Sequence, residues 1–252
     1  MSDKIKILTK MTAVLDCFTP ARRRLTVAEL AERTGLPRPT VHRIVAALRD
    51  DGFIEQDRKR DQYRLGIKLF QLGTTVLSSL DLRRDAAPVV EELTRATGQT
   101  VHLSIFDGLN STVITRSSQG RADTNTLYVL DASPAHATAS GKVALAYQAA
   151  PAIARFLENP RAQLTPNTIV DESALLDELS RIRDRGYGRD DEELRFGTKC
   201  FAGPIRGPSG KVFAAISVSG ASADLGPETE PGYAKLVISA GDRVSRLLGH
   251  EE

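Results

Sequence analysis

The sequence predicts an α+β protein with an N-terminal winged helix-turn-helix, a helical linker and a C-terminal domain built on a mostly antiparallel sheet. Three observations support this prediction. Residues 25–66 show two capped amphipathic helices followed by two short strands. Residues 67–98 keep an apolar helical pattern, and from Thr100 onward strands that alternate at period two are interspersed with helices.

The first helix of the pair begins at a capping box. Thr26 and Glu29 have the spacing at which a threonine and a glutamate side chain reciprocally satisfy free N–H groups at a helix start. Leu25 and Leu30 have the spacing of a hydrophobic staple across that start. Gly35 is of the residue type that commonly ends a helix, so a short helix is predicted between Thr26 and Gly35.

The second helix is predicted to have an apolar face and a polar face, and Pro39 suits its first turn. The apolar positions are Val41, Ile44, Val45 and Leu48. The opposite face presents polar side chains near the helix N-terminus, where a recognition helix contacts the base edges of DNA. These side chains are Arg38, Thr40, His42 and Arg43. The pair predicts a DNA-binding helix-turn-helix, although capped amphipathic pairs also occur in proteins that never bind DNA.

A two-stranded wing is predicted directly after the helix pair. Residues 53–55 and 62–65 have strand patterns on either side of a polar tip at 57–61, and such a wing can lay its cations along the phosphate backbone. Residues 1–75 hold 15 Lys and Arg against 9 Asp and Glu, a net charge of +6, whereas residues 76–252 hold 19 against 23, a net charge of −4. The basic charge therefore lies in the segment predicted to bind DNA.

Composition limits the class of protein. The chain of 252 residues can hold two domains, and its hydrophobic content of 41% can supply two modest cores. Cys17 and Cys200 lie far apart without metal-ligand spacing, and we expect a reducing compartment because no secretory leader is evident. No apolar run reaches the roughly 18 residues of a membrane span. We expect a soluble cytoplasmic protein without membrane association.

The segment 67–98 has a helical pattern that is too apolar for a flexible tether. Gly73 is a predicted break in this pattern. Pro88 is predicted to start a following helix, which ends at Gly98.

The C-terminal part is predicted to be a mixed antiparallel sheet with helices outside it. Strands are predicted at 101–106, 111–116, 126–130, 199–205 and 211–219, and helices from about 138 and at 152–157, 175–185 and 233–248. If the turn of the last hairpin is centred between Pro208 and Ser209, Cys200 faces Ser217 and shares its face of the sheet with Ser219. A thiol and two hydroxyls on an otherwise apolar surface predict a pocket for a small polar ligand.

The chain resembles the IclR family of bacterial transcriptional regulators over nearly its whole length. The segments that carry the resemblance are 30–31, 34–37, 40–43 and 63–66 in the N-terminal part, and 136–142, 190–193, 197, 200 and 215–220 in the C-terminal part. Pro39 departs from the serine or similar small residue that the family often has there. The resemblance implies a winged helix-turn-helix at 1–66, a linker and dimerisation segment at 67–98, and a GAF-like effector domain at 99–252.

The resemblance also implies partners. We expect a homodimer, or a tetramer formed by two such dimers, on a near-palindromic operator, because helix-turn-helix dimers place two reading helices about 34 Å apart. The expected activity is that of a regulator, more often a repressor, whose operator affinity depends on a catabolic metabolite such as a carboxylate or a phenolic acid derivative.

The expected sites lie in both domains. Side chains expected at base edges are Arg38, Thr40 and His42, and those expected at phosphates are Arg43, Arg58, Lys59, Arg60 and Arg64. The residues that match the family's effector pocket are Asp190, Cys200, Ser217 and Ser219. The helix start at Ala139, Ser140 and Gly141 is expected to bind a carboxylate through backbone N–H groups.

Two other functions involve Cys200. As the nucleophile of an enzyme it would need a base, and neither His102 nor His136 lies in a motif that suggests one. As a redox sensor it has a neighbouring cation, Lys199, but no second thiol close in sequence. The chain has no glycine-rich phosphate loop, paired-carboxylate motif or metal-ligand spacing, so neither catalysis nor a cofactor is expected.

Overall fold

The computed structural model describes residues 3–19, 21–57, 61–79, 81–118 and 131–251. The chain divides into two compact units, Met1–Leu80 and Asp81–Glu252. Together they have the predicted α+β composition. The division into three functional segments stays a prediction.

The N-terminal unit is a helical bundle with a small antiparallel sheet. Its elements are α1 (Asp3–Leu15), β1 (Leu25–Thr26), α2 (Val27–Thr34), α3 (Arg38–Asp50), β2 (Ile54–Gln56), β3 (Gln62–Leu65) and α4 (Ile67–Ser79). The strands are ordered β1-β3-β2, so the predicted wing gains a third strand. The sequence did not reveal β1 because its two residues are too short to show any alternation.

Local sequence signals at α2 are confirmed. Thr26 Oγ1 accepts from the N–H of Glu29 at 3.2 Å, and Glu29 Oε2 accepts from the N–H of Thr26 at 2.7 Å. Gly35 ends the helix with a φ of 66°, a left-handed conformation that costs glycine little. Leu25 and Leu30 are both buried in one hydrophobic cluster, as the staple requires.

The helix α3 packs through its predicted apolar face. Pro39 lies in its first turn, and the four predicted apolar residues are buried with α1 and α2 in one cluster. The buried residues of α3 are Val41, Ile44, Val45 and Leu48. Tyr63 and Ile54 bring the wing strands into the same core, so the wing is held against the helices.

Two predictions about the linker are wrong. The helix α4 runs through Gly73, because one glycine costs a helix only about 1 kcal/mol and does not by itself end it. The helix α5 (Asp81–Thr97) starts seven residues before Pro88, which lies inside it on the exposed side. Its opposite side is fully buried and offsets the lost hydrogen bond. The residues buried along α5 are Leu82, Ala86, Val89, Val90 and Leu93.

The C-terminal unit has one antiparallel sheet in its described residues, with strand order β6-β5-β4-β9-β8-β7. The strands are β4 (Thr100–Phe106), β5 (Asn110–Ser117), β6 (Asp131–Pro134), β7 (Gly188–Asp191), β8 (Thr198–Arg206) and β9 (Val212–Ala221). The helices after α5 are a 3-10 turn (Ala135–Ala137), α6 (Ala139–Ala146), α7 (Ala150–Leu157), α8 (Glu172–Arg185) and α9 (Glu230–Leu247). The strand predicted at 126–130 lies outside the described residues, and β6 and β7 were not predicted.

Helices cover both faces of this sheet. On one face, α6 packs with Ala202 and Ala215 in a shared core. On the other, α9 approaches β8 so closely that a Cβ on Gly203 would lie 2.0 Å from the carbonyl oxygen of Val237. Glycine at 203 therefore sets the distance between helix and sheet.

The register of the last hairpin differs from the prediction by two residues. Cys200 is opposite Ser219 rather than Ser217. One residue of the shift arises because the turn is centred on Ser209, and the other from a bulge beside Arg206. Because side chains alternate at period two, an even shift leaves Cys200, Ser217 and Ser219 on one face, as predicted.

Candidate functional site

The sheet face that carries Cys200 borders a cavity of about 170 Å³. Its walls come from β4, β5, β6, the start of α6, β7 with its following loop, β8 and β9. The lining residues are His102, Ser104, Ser111, Val113, Arg116, Asp131, Ser133, Thr138, Ala139, Ser140, Asp190, Leu194, Arg195, Thr198, Cys200, Ser217 and Ser219. Most of these side chains are polar, so the cavity is suited to a ligand that forms hydrogen bonds.

Six of the seven residues expected in the effector pocket line this cavity: Ala139, Ser140, Asp190, Cys200, Ser217 and Ser219. The seventh, Gly141, does not line it, because its N–H donates to Oγ1 of Thr138 at 3.0 Å. A Cβ at Gly141 would lie 2.4 Å from Cα of Ala135. Glycine at 141 thus serves close packing at the start of α6.

Asp190 lies on β7 opposite Cys200 and is buried, with 4% of its surface exposed. Its Oδ1 accepts hydrogen bonds from the N–H groups of Glu193 at 2.7 Å and Leu194 at 3.3 Å. Burial nevertheless raises the pKa of this carboxyl group from 3.8 to about 7. Near neutral pH the group therefore exists both as a hydrogen-bond donor and as an anion.

The Cys200 thiol lines the cavity and the residue is half-buried. Burial, followed by the negative charge of Asp190, raises the pKa of the thiol to about 12. A thiol with this pKa stays protonated near neutral pH, whereas nucleophilic and redox-sensing cysteines need the thiolate. The raised pKa therefore disfavours a nucleophilic or redox-sensing role for Cys200.

His102 and Arg116 form a pair in the cavity that sequence reasoning missed. Nε of Arg116 donates to Nε2 of His102 at 3.2 Å, and burial together with the Arg116 charge lowers the pKa of the imidazole from 6.5 to about 4. His102 is thus neutral and accepts through Nε2. The signal was present, because the two residues are directly opposed in the register of β4 and β5.

A buried ion pair was also missed. The ammonium of Lys142 on α6 bonds to Oε1 of Glu193, and neither residue exposes more than 4% of its surface. Glu193 follows β7 in the same short loop whose N–H groups bond to Asp190. The tetrad Asp190 to Glu193 and the motif ending in Lys142 were visible in the sequence, but nothing local indicated that they meet.

The polar face of α3 is available on the N-terminal unit. Arg38, His42 and Arg43 are exposed and Thr40 is half-buried. The Arg64 guanidinium donates to Oε2 of Glu55 through Nε at 3.1 Å and Nη2 at 2.8 Å, so part of its charge is already balanced. The expected wing-tip cations, Arg58, Lys59 and Arg60, lie outside the described residues.

A second basic cluster on the N-terminal unit was not predicted. Four arginines surround a shallow depression beside Leu25: Arg22, Arg23, Arg24 and Arg33. Nε of Arg24 lies 3.0 Å from Oδ2 of Asp57, which links this cluster to the wing. The run of three arginines at 22–24 was the signal for it.

The described part of the chain contains neither a membrane-spanning helix nor a metal-binding cluster. No helix there is both long and apolar enough to cross a membrane. No group of three or more His, Cys, Asp or Glu side chains within the same residues is arranged to hold a metal ion.

In a comparison with known proteins, one family of proteins matches both units. The family model described as the IclR helix-turn-helix domain matches residues 8–58, and the model described as the bacterial transcriptional regulator IclR C-terminal domain matches residues 74–246. The HTH-type transcriptional regulator XynR of Escherichia coli is 31% identical, with 98% of each chain covered. The glycerol operon regulatory protein of Streptomyces coelicolor is 32% identical, over 99% of this chain and 98% of the relative.

Solved structures show the same similarity. A regulator from Silicibacter sp. TM1040, described as a putative member of the same family, has a TM-score of 0.82 and 25% identity, with 97% of each chain covered. An IclR homologue from Microbacterium hydrocarbonoxydans, complexed with 4-hydroxybenzoate, has a TM-score of 0.67 and 26% identity. That comparison covers 96% of this chain and 98% of the homologue.

The raised pKa of Asp190 predicts a specific pH dependence of stability. A folded-state pKa of about 7 against an ordinary 3.8 means that the folded state binds this proton more tightly than the unfolded chain. The free energy of unfolding of the wild type, relative to Asp190→Asn, should therefore be highest at low pH and fall as the pH rises from about 4 to about 7. Chemical denaturation at a series of pH values measures this difference, and the titration of His102 cancels because both proteins contain it. A difference that stays constant from pH 4 to 8 would show that Asp190 titrates normally.

Proposed function

The chain belongs to the IclR family of bacterial transcriptional regulators, and from this membership we propose that it is a repressor controlled by a small organic acid. As a member it is a DNA-binding regulator with a C-terminal effector-binding domain. The proposal adds the sign of regulation, the class of effector and the residues that bind each partner. It places the protein in the cytoplasm, where a bacterial operator lies.

The proposed DNA-binding surface is the polar face of α3 together with the wing. Arg38, Thr40 and His42 contact base edges from the N-terminal half of the helix, where recognition helices enter the major groove. Arg43 and the wing cations contact phosphates, which fix position and create salt dependence without selecting sequence. The proposed phosphate-binding residues of the wing are Arg58, Lys59, Arg60 and Arg64.

The proposed effector site is the cavity bordered by Asp190, Cys200, Ser217 and Ser219. The observation that carries this proposal is the mixture of charges in one small polar cavity, with Arg116 and Arg195 among its lining residues. A ligand carboxylate fits the arginines and the first-turn N–H groups of Ala139 and Ser140, which have no partner within a helix. Asp190 would repel that carboxylate when ionised, so it pairs instead with a hydroxyl of the ligand.

This arrangement favours a small hydroxy acid or phenolic acid. The homologue complexed with 4-hydroxybenzoate supports that class, because a carboxylate and a hydroxyl lie at opposite ends of that molecule.

The proposed assembly is a homodimer, which can pair into a tetramer, on a near-palindromic operator. The helix α4 exposes Ile67 to 61% and Leu72 to 45%, which suits a contact between subunits. Within the proposed organisation the segment 67–98 links the DNA-binding domain at 1–66 to the effector-binding domain at 99–252. The effector can change operator affinity only if it binds the DNA-competent arrangement and the DNA-incompetent arrangement with different affinities. A coupling free energy of about 1–3 kcal/mol would change operator affinity 5- to 150-fold.

The effector site is tested by a thermal-shift screen of the full-length protein with 4-hydroxybenzoate and other small hydroxy and phenolic acids. A ligand of this site should stabilise the wild type and bind Ser217→Ala about 2- to 10-fold more weakly, the range expected for one lost hydrogen bond. Ser209→Ala, in the exposed turn of the same hairpin, is the matched control and should bind like the wild type. The same ligand should change the affinity for DNA upstream of the protein's own gene. A stabilising acid that is insensitive to Ser217→Ala would place the effector elsewhere.

The division between phosphate and base contacts is tested at Arg43. Arg43→Ala should weaken binding to operator and unrelated DNA by the same factor and reduce the slope of log affinity against log salt concentration by about one. Arg49→Ala is the control, because Arg49 lies at the opposite end of α3 and is paired with Asp50 at 3.1 Å. Fluorescence anisotropy at several salt concentrations gives both quantities. A change in sequence preference for Arg43→Ala would instead assign this residue to base contacts.

A further inference from the structure

We propose that a second cavity of the C-terminal unit binds an amphipathic organic anion, with a flat apolar body and one carboxylate or sulfonate group. The cavity has a volume of about 470 Å³ and lies at the turn between β4 and β5, the end of α6, the helix α7 and the start of β9. It shares no lining residue with the cavity that contains Asp190. Its volume falls in the range of roughly 300–1,000 Å³ that is usual for ligand pockets.

One part of the wall of this cavity is apolar and carries three aromatic rings. Phe106, Phe156 and Phe213 line it together with Leu145 and Val212. Phe156, Leu145 and Val212 are buried, whereas Phe106 and Phe213 are half-buried and present part of their rings to the cavity. Aromatic side chains offer a large contact area at low entropic cost, so this wall suits a planar apolar body.

Two cations border the same cavity. Arg155 on α7 and Lys211 before β9 are both exposed, and the described residues provide neither side chain with a hydrogen-bond or ion-pair partner. The carboxylate of Asp107 also lines the cavity, but its Oδ1 already accepts from the N–H groups of Leu109 at 2.8 Å and Asn110 at 2.7 Å. Unpaired positive charge beside an aromatic wall is complementary to an apolar anion.

The cavity is held in shape by a side-chain bridge. Nε2 of Gln148 donates to the carbonyl oxygen of Ala144 at 2.7 Å and to that of Val212 at 3.0 Å, so it ties the end of α6 to β9. A pocket that exists before binding requires little ordering of the protein when a ligand enters. The two cavities lie at opposite ends of α6, since Ala139 and Ser140 line the first and Leu145 lines the second.

The fluorescent probe 8-anilinonaphthalene-1-sulfonate has the proposed chemistry and tests this site on the full-length protein. Ala152→Phe fills the cavity from α7 and should weaken probe binding at least tenfold. Ala154→Phe places the same side chain on the exposed side of the same helix and should leave the affinity for the probe unchanged. Because this probe also binds loosely packed proteins, each variant is first shown to unfold as cooperatively as the wild type.

Two variants that reverse a charge give a second test that leaves the core untouched. Lys211→Glu should weaken probe binding at least tenfold, whereas Lys235→Glu, an equal change of net charge on the exposed side of α9, should have little effect. Ser219→Phe, which obstructs the first cavity, should retain the probe. If Ser219→Phe abolishes probe binding while Ala152→Phe and Lys211→Glu preserve it, or if the wild type binds no probe, the proposal is wrong. The function proposed for the first cavity would stand in either case.

Discussion

The cavity that contains Asp190 depends on the ion pair between Lys142 and Glu193. Burying two charges costs several kcal/mol for each ion unless they neutralise one another, so this pair constrains both segments that carry it. Lys142 belongs to α6, whose eight residues are all buried, and Glu193 belongs to the loop after β7. Once Glu193 is held there, its N–H lies 2.7 Å from Oδ1 of Asp190. One interaction thus joins two walls of the cavity and orients the acid that faces a ligand.

The electrostatic state of the cavity follows from the same burial. Protein enclosure keeps the Cys200 thiol protonated and the His102 imidazole neutral, and it leaves Asp190 balanced between its two forms. Fixed positive charge comes from arginine, which stays ionised at any physiological pH. The cavity therefore offers neutral hydrogen-bonding groups beside arginine side chains, and this combination is the basis for proposing a small acid as its ligand.

The sequence predicted those features that depend on neighbouring residues. The capping box at Thr26, the end of α2 at Gly35 and the apolar face of α3 are local, so pattern alone was sufficient. The shared face of Cys200, Ser217 and Ser219 was also predicted, because an error of two residues in register preserves alternation. The break expected at Gly73 and the helix start expected at Pro88 were wrong. One glycine costs a helix too little to end it, and along α5 the buried side outweighs the unfavourable proline. The pair Lys142–Glu193 could not be predicted from local pattern, because it joins segments that only the folded chain brings together. The pair His102–Arg116 was missed although it lies across a hairpin whose two strands were predicted.

A double-mutant cycle on Lys142 and Glu193 tests the central claim most directly. Lys142→Met and Glu193→Leu should each lower the free energy of unfolding by about 3–5 kcal/mol, because each leaves one buried charge without its partner. The double variant, which buries no charge at this place, should lose far less than the sum of the two. Chemical denaturation followed by circular dichroism gives all four values. Strictly additive losses would show that the two residues act independently and that the cavity is held together by other contacts.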